Sequence, residues 1–158
     1  MIEQSSLRNA ESLIRFGAEK LSSISNVPRL EAEVLLSNLL KINPIKFHTD
    51  DIGISSNVMD KFESMIESRF KGMPIAYLIG KKEFWSLEFE INPSVLVPRP
   101  ETELLIENAI ELLKDHDSPR ILELGTGSGI ISIVLYKELV TPEITATDIS
   151  YEALNVCL

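Results

Sequence analysis

The sequence predicts an α/β protein in three parts. A small N-terminal helical bundle covers residues 1–74, a β-hairpin linker covers 75–97, and the start of a parallel α/β layer covers 98–158. Three observations carry that prediction. Apolar residues recur at helical spacing through the first part. The texture then turns aromatic and β-branched, with Phe84, Leu87, Phe89 and Ile91 set against Ser86, Glu88 and Glu90. Finally, residues 121–133, ILELGTGSGIISI, place three glycines between two apolar runs. That is the pattern of a buried strand, a tight turn and a helix packed back on the strand.

The N-terminal elements follow from periodicity. Residues 5–22 repeat apolar side chains at Leu7, Ala10, Leu13, Ile14, Ala18 and Leu21, one face of a helix. Asn26 and Pro28 break the pattern and start a second helix, whose apolar face is Leu30, Val34, Leu35 and Leu39 and which ends at Asn43-Pro44. A short helical turn follows over 44–48, then a polar loop around Gly53. Val58, Phe62, Met65, Ile66 and Phe70 form a third stripe, closed by Gly72 and Pro74. Helices this short do not persist alone, so the three pack together.

After Pro74, residues 75–79 and 83–91 read as two strands of a hairpin, with Gly80-Lys81-Lys82 as the turn between them. Asn92-Pro93 makes a further turn. Residues 95–103, VLVPRPETE, hold Arg99 between two prolines, which keeps the backbone extended up to Pro100. Pro100 fits the first helical position, and Glu101 and Glu103 suit the positive end of that helix. Leu104, Leu105, Ala109, Ile110 and Leu113 supply its apolar side. Two readings stay open for this stretch: a rigid helix entry, or a rigid wall that sets Arg99 and Thr102 at the mouth of a cleft.

The glycine stretch carries the chemistry. Its glycines, Gly125, Gly127 and Gly129, are spaced G-x-G-x-G, and Ile130 stands where a dinucleotide fingerprint has its third glycine. No lysine follows for a phosphate loop. The loop contains nothing basic, and Glu123 sits just before it, so a cationic ligand suits it better than a pyrophosphate. S-adenosylmethionine carries a sulfonium and an ammonium and meets that condition. The N-terminus of the following helix is expected to aim its free N–H groups at the ligand. Residues 143–148, EITATD, read as the next strand, ending in an acid. Asp148 lies nineteen residues past Gly129, where an acid that accepts both ribose hydroxyls is expected. Ser150 then caps a last helix through Tyr151, Ala153, Leu154 and Val156.

Composition sets the outer limits. The chain of 158 residues carries a net charge of −9, with 44% hydrophobic and 25% charged residues, as in ordinary globular proteins. Residues 1–80 hold nine Lys and Arg against ten Asp and Glu; residues 81–158 hold six against fourteen. No basic stripe exists, so no direct nucleic-acid binding is expected. No apolar run has membrane-spanning length, so no membrane is expected either. One cysteine, Cys157, fits a reducing, cytoplasmic setting. With His48 and His116 as the only histidines, no metal site is expected.

With these pieces in place, the chain resembles the protein-glutamine N5-methyltransferases that modify peptide-chain release factors. The resemblance rests on Pro28-Arg29-Leu30-Glu31-Ala32-Glu33, Pro74-Ile75-Ala76-Tyr77-Leu78-Ile79-Gly80, Glu83-Phe84-Trp85-Ser86-Leu87 and Val97-Pro98-Arg99-Pro100-Glu101-Thr102-Glu103. Gly125-Thr126-Gly127-Ser128-Gly129 matches the family's cofactor loop and Asp148 its ribose acid. A sister branch that acts on a ribosomal protein interrupts the Pro-Arg-Pro run differently. The resemblance implies a helical N-terminal domain that helps grip the release factor, a hairpin link and a Rossmann-like methyltransferase domain using S-adenosylmethionine. The methyl acceptor it implies is the glutamine of the factor's Gly-Gly-Gln tip.

One departure is large. The family's catalytic Asn-Pro-Pro-Tyr is absent from these residues. Asn43-Pro44-Ile45-Lys46 and Asn92-Pro93-Ser94-Val95 are the only Asn-Pro pairs, and both read as turns. No catalytic residue is therefore assigned. The expected cofactor residues are Glu123, Gly125, Thr126, Gly127, Ser128, Gly129 and Asp148. The chain is expected to be the N-terminal portion of a longer enzyme, inactive alone, with Val134, Leu135, Ile144 and Val156 in a core whose other half is missing. The alternatives are a ribosomal-protein glutamine methyltransferase and a non-catalytic, partner-binding fragment.

Overall fold

Asn9 starts the first helix. Its side chain accepts a hydrogen bond from the Ser12 amide at 3.0 Å, which caps α1 (Ala10–Leu21). The computed structural model describes residues 9–157. The expected helix start at residue 5, and Leu7 with it, lie outside the described residues. The chain divides into two units, Met1–Ile79 and Gly80–Leu158.

In the first unit α1 packs on α2 (Pro28–Leu40) and α4 (Ser56–Phe70), with a short α3 (Lys46–Thr49) and α5 (Ile75–Ile79) beside them. The core is Leu13, Ile14, Leu21, Ala32, Leu35, Leu36, Phe62 and Ile66, all with no exposed surface. Gly17 is what lets the three long helices meet. A Cβ there would lie 2.9 Å from Ile66 Cδ1, 3.0 Å from Ala32 Cβ and 3.0 Å from Phe62 Cζ. A bidentate Arg69–Glu31 pair, 2.9 and 3.1 Å, ties the end of α4 to the start of α2.

Two expectations for this unit need correction. The inward face of α2 is Ala32, Leu35 and Leu36; Leu30 is 56% exposed. Of the expected stripe Leu30, Val34, Leu35 and Leu39, Leu35 is buried and Leu39 packs half-buried against the core; Leu30 is turned out and Ala32 and Leu36 take part instead, because leucines populate α2 on both sides and only its neighbours choose between them. Residues 75–79 are a helix, not a strand. Pro74 opens it, its carbonyl accepting from the amides of Tyr77 and Leu78 at 3.1 and 3.3 Å, and the turn packs on α2 and α4.

The second unit begins with the hairpin β1 (Lys81–Phe84) and β2 (Leu87–Glu90), paired antiparallel with Phe84 opposite Leu87. Its turn is therefore Trp85-Ser86, not Gly80-Lys81-Lys82, which corrects the expected register. Both turn residues have positive φ, 53° and 57°, the backbone that matches strand twist in a two-residue hairpin loop. Phe84 and Phe89 meet edge to face at 6.5 Å.

Then come α6 (Glu101–Leu113), β3 (Arg120–Leu124), α7 (Ile130–Glu138), β4 (Glu143–Thr147) and α8 (Tyr151–Cys157). Strands β3 and β4 are parallel and in register from Arg120–Glu143 to Leu124–Thr147, with α7 as the crossover. The protein is thus a mixed α/β chain. Pro100 stands just outside α6 as its cap residue, one position before its expected place. The inward residue of α6 is Ile106, fully buried, while Leu104 and Leu105 are 62% and 57% exposed. Leu104 and Leu105 thus leave the apolar side expected of them, whereas Ala109, Ile110 and Leu113 are half-buried on it.

Alternation along β3 and β4 separates two sheet faces. Ile121, Glu123, Ile144 and Ala146 are half-buried, and Glu123 bonds to α7. Leu122 and Leu124 lie on the other face, 63% and 76% exposed. Val134 and Leu135, expected in an incomplete core, are buried, and Ile144 and Val156 are half-buried. On β3 and β4 the uncovered large apolar side chains are these two leucines. Among the described residues no helix is long and apolar enough to cross a membrane.

The contacts at Gly17 yield a stability prediction. Gly17→Val should destabilise the chain by roughly 1–3 kcal/mol through overpacking, read as a lower urea midpoint. Gly53→Ala, at a position where an added Cβ meets nothing within 4 Å, should change it little. Equal midpoints for the two variants would contradict the close helix crossing.

Candidate functional site

The glycine turn is built from β3 outward. Leu124 ends the strand, and Gly125, Gly127 and Gly129 have φ of 75°, 56° and 77°, the left-handed region where a Cβ is costly. The amides of Gly125 and Thr126 donate to the Thr147 carbonyl at 2.8 and 2.9 Å. The Gly127 amide donates to Asp148 Oδ2 at 2.9 Å. The turn is therefore tied to the end of β4, and these three N–H groups are already taken.

The three glycines differ in role. An added Cβ at Gly125 or Gly127 would meet nothing within 4 Å, so the main chain there is open to an approaching molecule. At Gly129 it would collide with Cys157 Sγ. Gly129 is small because α8 packs behind it.

Glu123 lies under the turn. Its Oε2 accepts from Thr126 Oγ1 at 3.0 Å, from the Ser132 amide at 3.1 Å and from the Ser132 hydroxyl. One carboxylate oxygen thus joins β3, the turn and the first helical turn of α7. Sequence reasoning found Glu123 but missed Thr126 and Ser132 as its partners. The signal was a hydroxyl three residues on and another in the first turn of the helix. The Thr147 carbonyl has no signature at all, since any residue supplies a carbonyl.

Asp148 follows β4 directly. Its Oδ1 accepts from the Ser150 amide at 2.9 Å, opposite the Gly127 bond to Oδ2. The backbone hydrogen bonds from Ser150 and Gly127 hold its carboxyl below the usual aspartate range. Ser150 also caps α8 as expected, accepting from the Ala153 amide at 3.1 Å.

A cavity of about 140 Å³ opens on one side of the turn, with Pro98, Arg99 and Thr102 facing Glu123, Gly125 and Gly127. The Pro-Arg-Pro stretch is thus both a helix entry and a wall. Pockets that hold drug-sized ligands run to ~300–1,000 Å³, so this space alone encloses only part of a ligand of that size. On the Asp148 side Ile149 is fully exposed. A second cavity, about 560 Å³, lies at the hairpin tip among Glu83, Trp85, Glu103 and Glu138. It touches neither the glycine turn nor Asp148, so chemistry and not volume selects the site.

Both Asn-Pro pairs are turns, as read. Asn43 Oδ1 accepts from the Ile45 amide at 2.9 Å, and Asn92 Oδ1 from the Ser94 amide at 2.8 Å. Among the described residues no group of three or more His, Cys, Asp or Glu could hold a metal.

Comparison with known proteins adds a family. Residues 12–80 match the PrmC N-terminal domain. The chain is 40% identical over 140 residues to a release factor glutamine methyltransferase of Coxiella burnetii, covering 88% of this chain and 50% of that protein. The protein of the same name from Shewanella oneidensis is 36% identical over 149 residues, 94% of this chain and 51% of that one. The one from Rhodopirellula baltica is 39% identical over 137 residues, 84% and 46%. The chain spans about half the length of the curated relatives it matches.

The Asp148 bonds set a pH dependence. A carboxyl with a lowered folded-state pKa contributes stability above its unfolded value, about 3.9, and loses it as pH falls through the folded value. Asp148→Asn should therefore be less stable than the parent near neutral pH, with the gap narrowing in acid. Urea unfolding across that range checks this; a gap that does not narrow would remove the carboxylate charge as its cause.

Proposed function

The chain belongs to the family of the release factor glutamine methyltransferases, and we propose that it supplies the methyl-donor side of such an enzyme. The substrate in this proposal is the glutamine of the Gly-Gly-Gln tip of peptide-chain release factors, methylated on its side-chain amide nitrogen. The observation that carries the reading is the Gly127 amide on Asp148 at 2.9 Å, beside main chain left open at Gly125 and Gly127.

These residues fit S-adenosylmethionine, which when bound supplies an electrophilic methyl group on a sulfonium. Asp148 is ionised at neutral pH, and each of its oxygens keeps acceptor capacity beyond its one backbone bond. It accepts the ribose hydroxyls. Gly125 and Gly127 let the nucleoside lie against the backbone. Thr126, Ser128 and Gly129 complete the turn, and Glu123 places negative charge beneath it, favourable to a cationic ligand.

The acceptor side calls for groups that these 158 residues do not carry. An amide nitrogen is a poor nucleophile because its lone pair is delocalised, so catalysis depends on orienting it. Asn-Pro-Pro-Tyr would do that by accepting the amide N–H bonds. In the proposed organisation residues 1–74 grip the release factor, 75–97 link, and 98–158 begin a Rossmann-like methyltransferase domain that works in the cytoplasm. The exposed Leu122 and Leu124 then mark a face for further strands and helices, since parallel sheets are covered on both sides.

Two measurements test the proposal. Calorimetric titration with S-adenosylmethionine should show weak binding, and Asp148→Ala should reduce it by roughly ten- to a hundredfold, as hydrogen bonds to a charged group are worth about 1.5–3 kcal/mol. Equal binding removes Asp148 from the site. Incubating the purified chain with a release factor and labelled S-adenosylmethionine should leave the factor unmethylated; incorporated label would refute the division into donor and acceptor sides.

A further inference from the structure

The cavity of about 140 Å³ beside the glycine turn holds two opposite charges that do not meet. Arg99 lines one wall and Glu123 another. Among the described residues the Arg99 guanidinium makes no ion pair and no hydrogen bond. Glu123 accepts all its side-chain hydrogen bonds at Oε2, which leaves Oε1 without a partner there. No buried side-chain oxygen among the described residues lacks a partner, so Oε1 is accessible to an incoming group. Two unpaired charges of opposite sign across one small space match a ligand that carries both.

The backbone holds Arg99 in place. Pro98 is buried and its ring fixes φ on one side, while Pro100 restricts the backbone of Arg99 itself. The Thr102 amide donates to the Arg99 carbonyl at 3.0 Å, which ties the arginine to the start of α6. Only its side chain is left to be ordered by a ligand. The size of the space agrees. At ~30 Å³ per water it holds about four or five water volumes, room for the carboxylate, ammonium and α-carbon of an amino acid. Gly127 lines this cavity and bonds Asp148, so the cavity and the ribose acid lie on either hand of one open stretch of main chain.

We propose, resting on the S-adenosylmethionine reading, that Arg99 is the residue that binds the carboxylate of that ligand's amino-acid end. It thereby makes the site distinguish the intact zwitterion from a decarboxylated form. A guanidinium presents its N–H donors in a planar fork that meets both oxygens of a carboxylate. Glu123 Oε1, across the cavity, accepts from the ammonium. Turned the other way, each charge would meet its like, so the two walls fix the orientation of the amino-acid end as well as its identity.

The test is calorimetric titration of the whole chain with two ligands: S-adenosylmethionine, and its decarboxylated form, which keeps the nucleoside, sulfonium and amine. The parent should prefer the first by about ten- to a hundredfold, the worth of hydrogen bonds to a charged group. Arg99→Gln should bring the two affinities close to equal, through weaker binding of S-adenosylmethionine alone. Arg99→Lys, which keeps the charge and loses the fork, should fall between them. Asp148→Ala should weaken both ligands alike and leave the preference standing, since it acts on the ribose end. The Arg99 side chain is exposed and unpaired among the described residues, so its variants should keep the parent's urea midpoint. A preference that survives Arg99→Gln overturns the proposal, as does a loss shared equally by both ligands. A parent that binds neither ligand overturns the S-adenosylmethionine reading and this inference together; binding with a preference indifferent to Arg99 overturns this inference alone.

Discussion

The bond from the Gly127 amide to Asp148 Oδ2 holds the glycine turn of the second unit to the end of β4. A glycine turn with three left-handed residues has no helix or sheet of its own to fix it. Here the end of β4 fixes it, through Thr147 and Asp148, while Glu123 fixes it from below through Thr126 and Ser132. Two carboxylates thus set the shape of an acid-rich turn before any ligand arrives. That arrangement braces the open face at Gly125 and Gly127 by hydrogen bonds within the chain.

The first unit is organised by a different constraint, the absence of a side chain. Gly17 lets α1, α2 and α4 approach until Ile66, Ala32 and Phe62 fill the space a Cβ would take. Glycine costs about 1 kcal/mol in a helix interior, and burying that cluster offsets it. Gly129 repeats the device in the second unit, with Cys157 as its neighbour. Within one loop, then, glycines serve two ends: Gly125 and Gly127 leave a surface open, and Gly129 admits a packed helix.

Much of this was legible in the residues. Helix positions in the bundle, the strand–turn–helix unit, and Asp148 at the end of the next strand all follow from period, turn chemistry and spacing. The misreadings share a cause. Residues 75–79, rich in β-branched and aromatic side chains, form a helix because Pro74 opens one and α2 and α4 receive it. In α2 and α6 leucines lie on more than one side, so periodicity alone did not select Ala32, Leu36 and Ile106 as the inward residues.

Local chemistry by itself determined the elements and the identity of the acids: backbone angles at the glycines, the proline constraint around Arg99, and the interval from Gly129 to Asp148 are properties of the chain alone. Only the tertiary structure decided what those groups touch. Whether Glu123 faces a ligand or braces Ser132, whether a glycine is open or packed, and which amides are free depend on atoms far apart in sequence. Their positions come from how helices and strands pack, a choice made by the shape and volume of many neighbours at once.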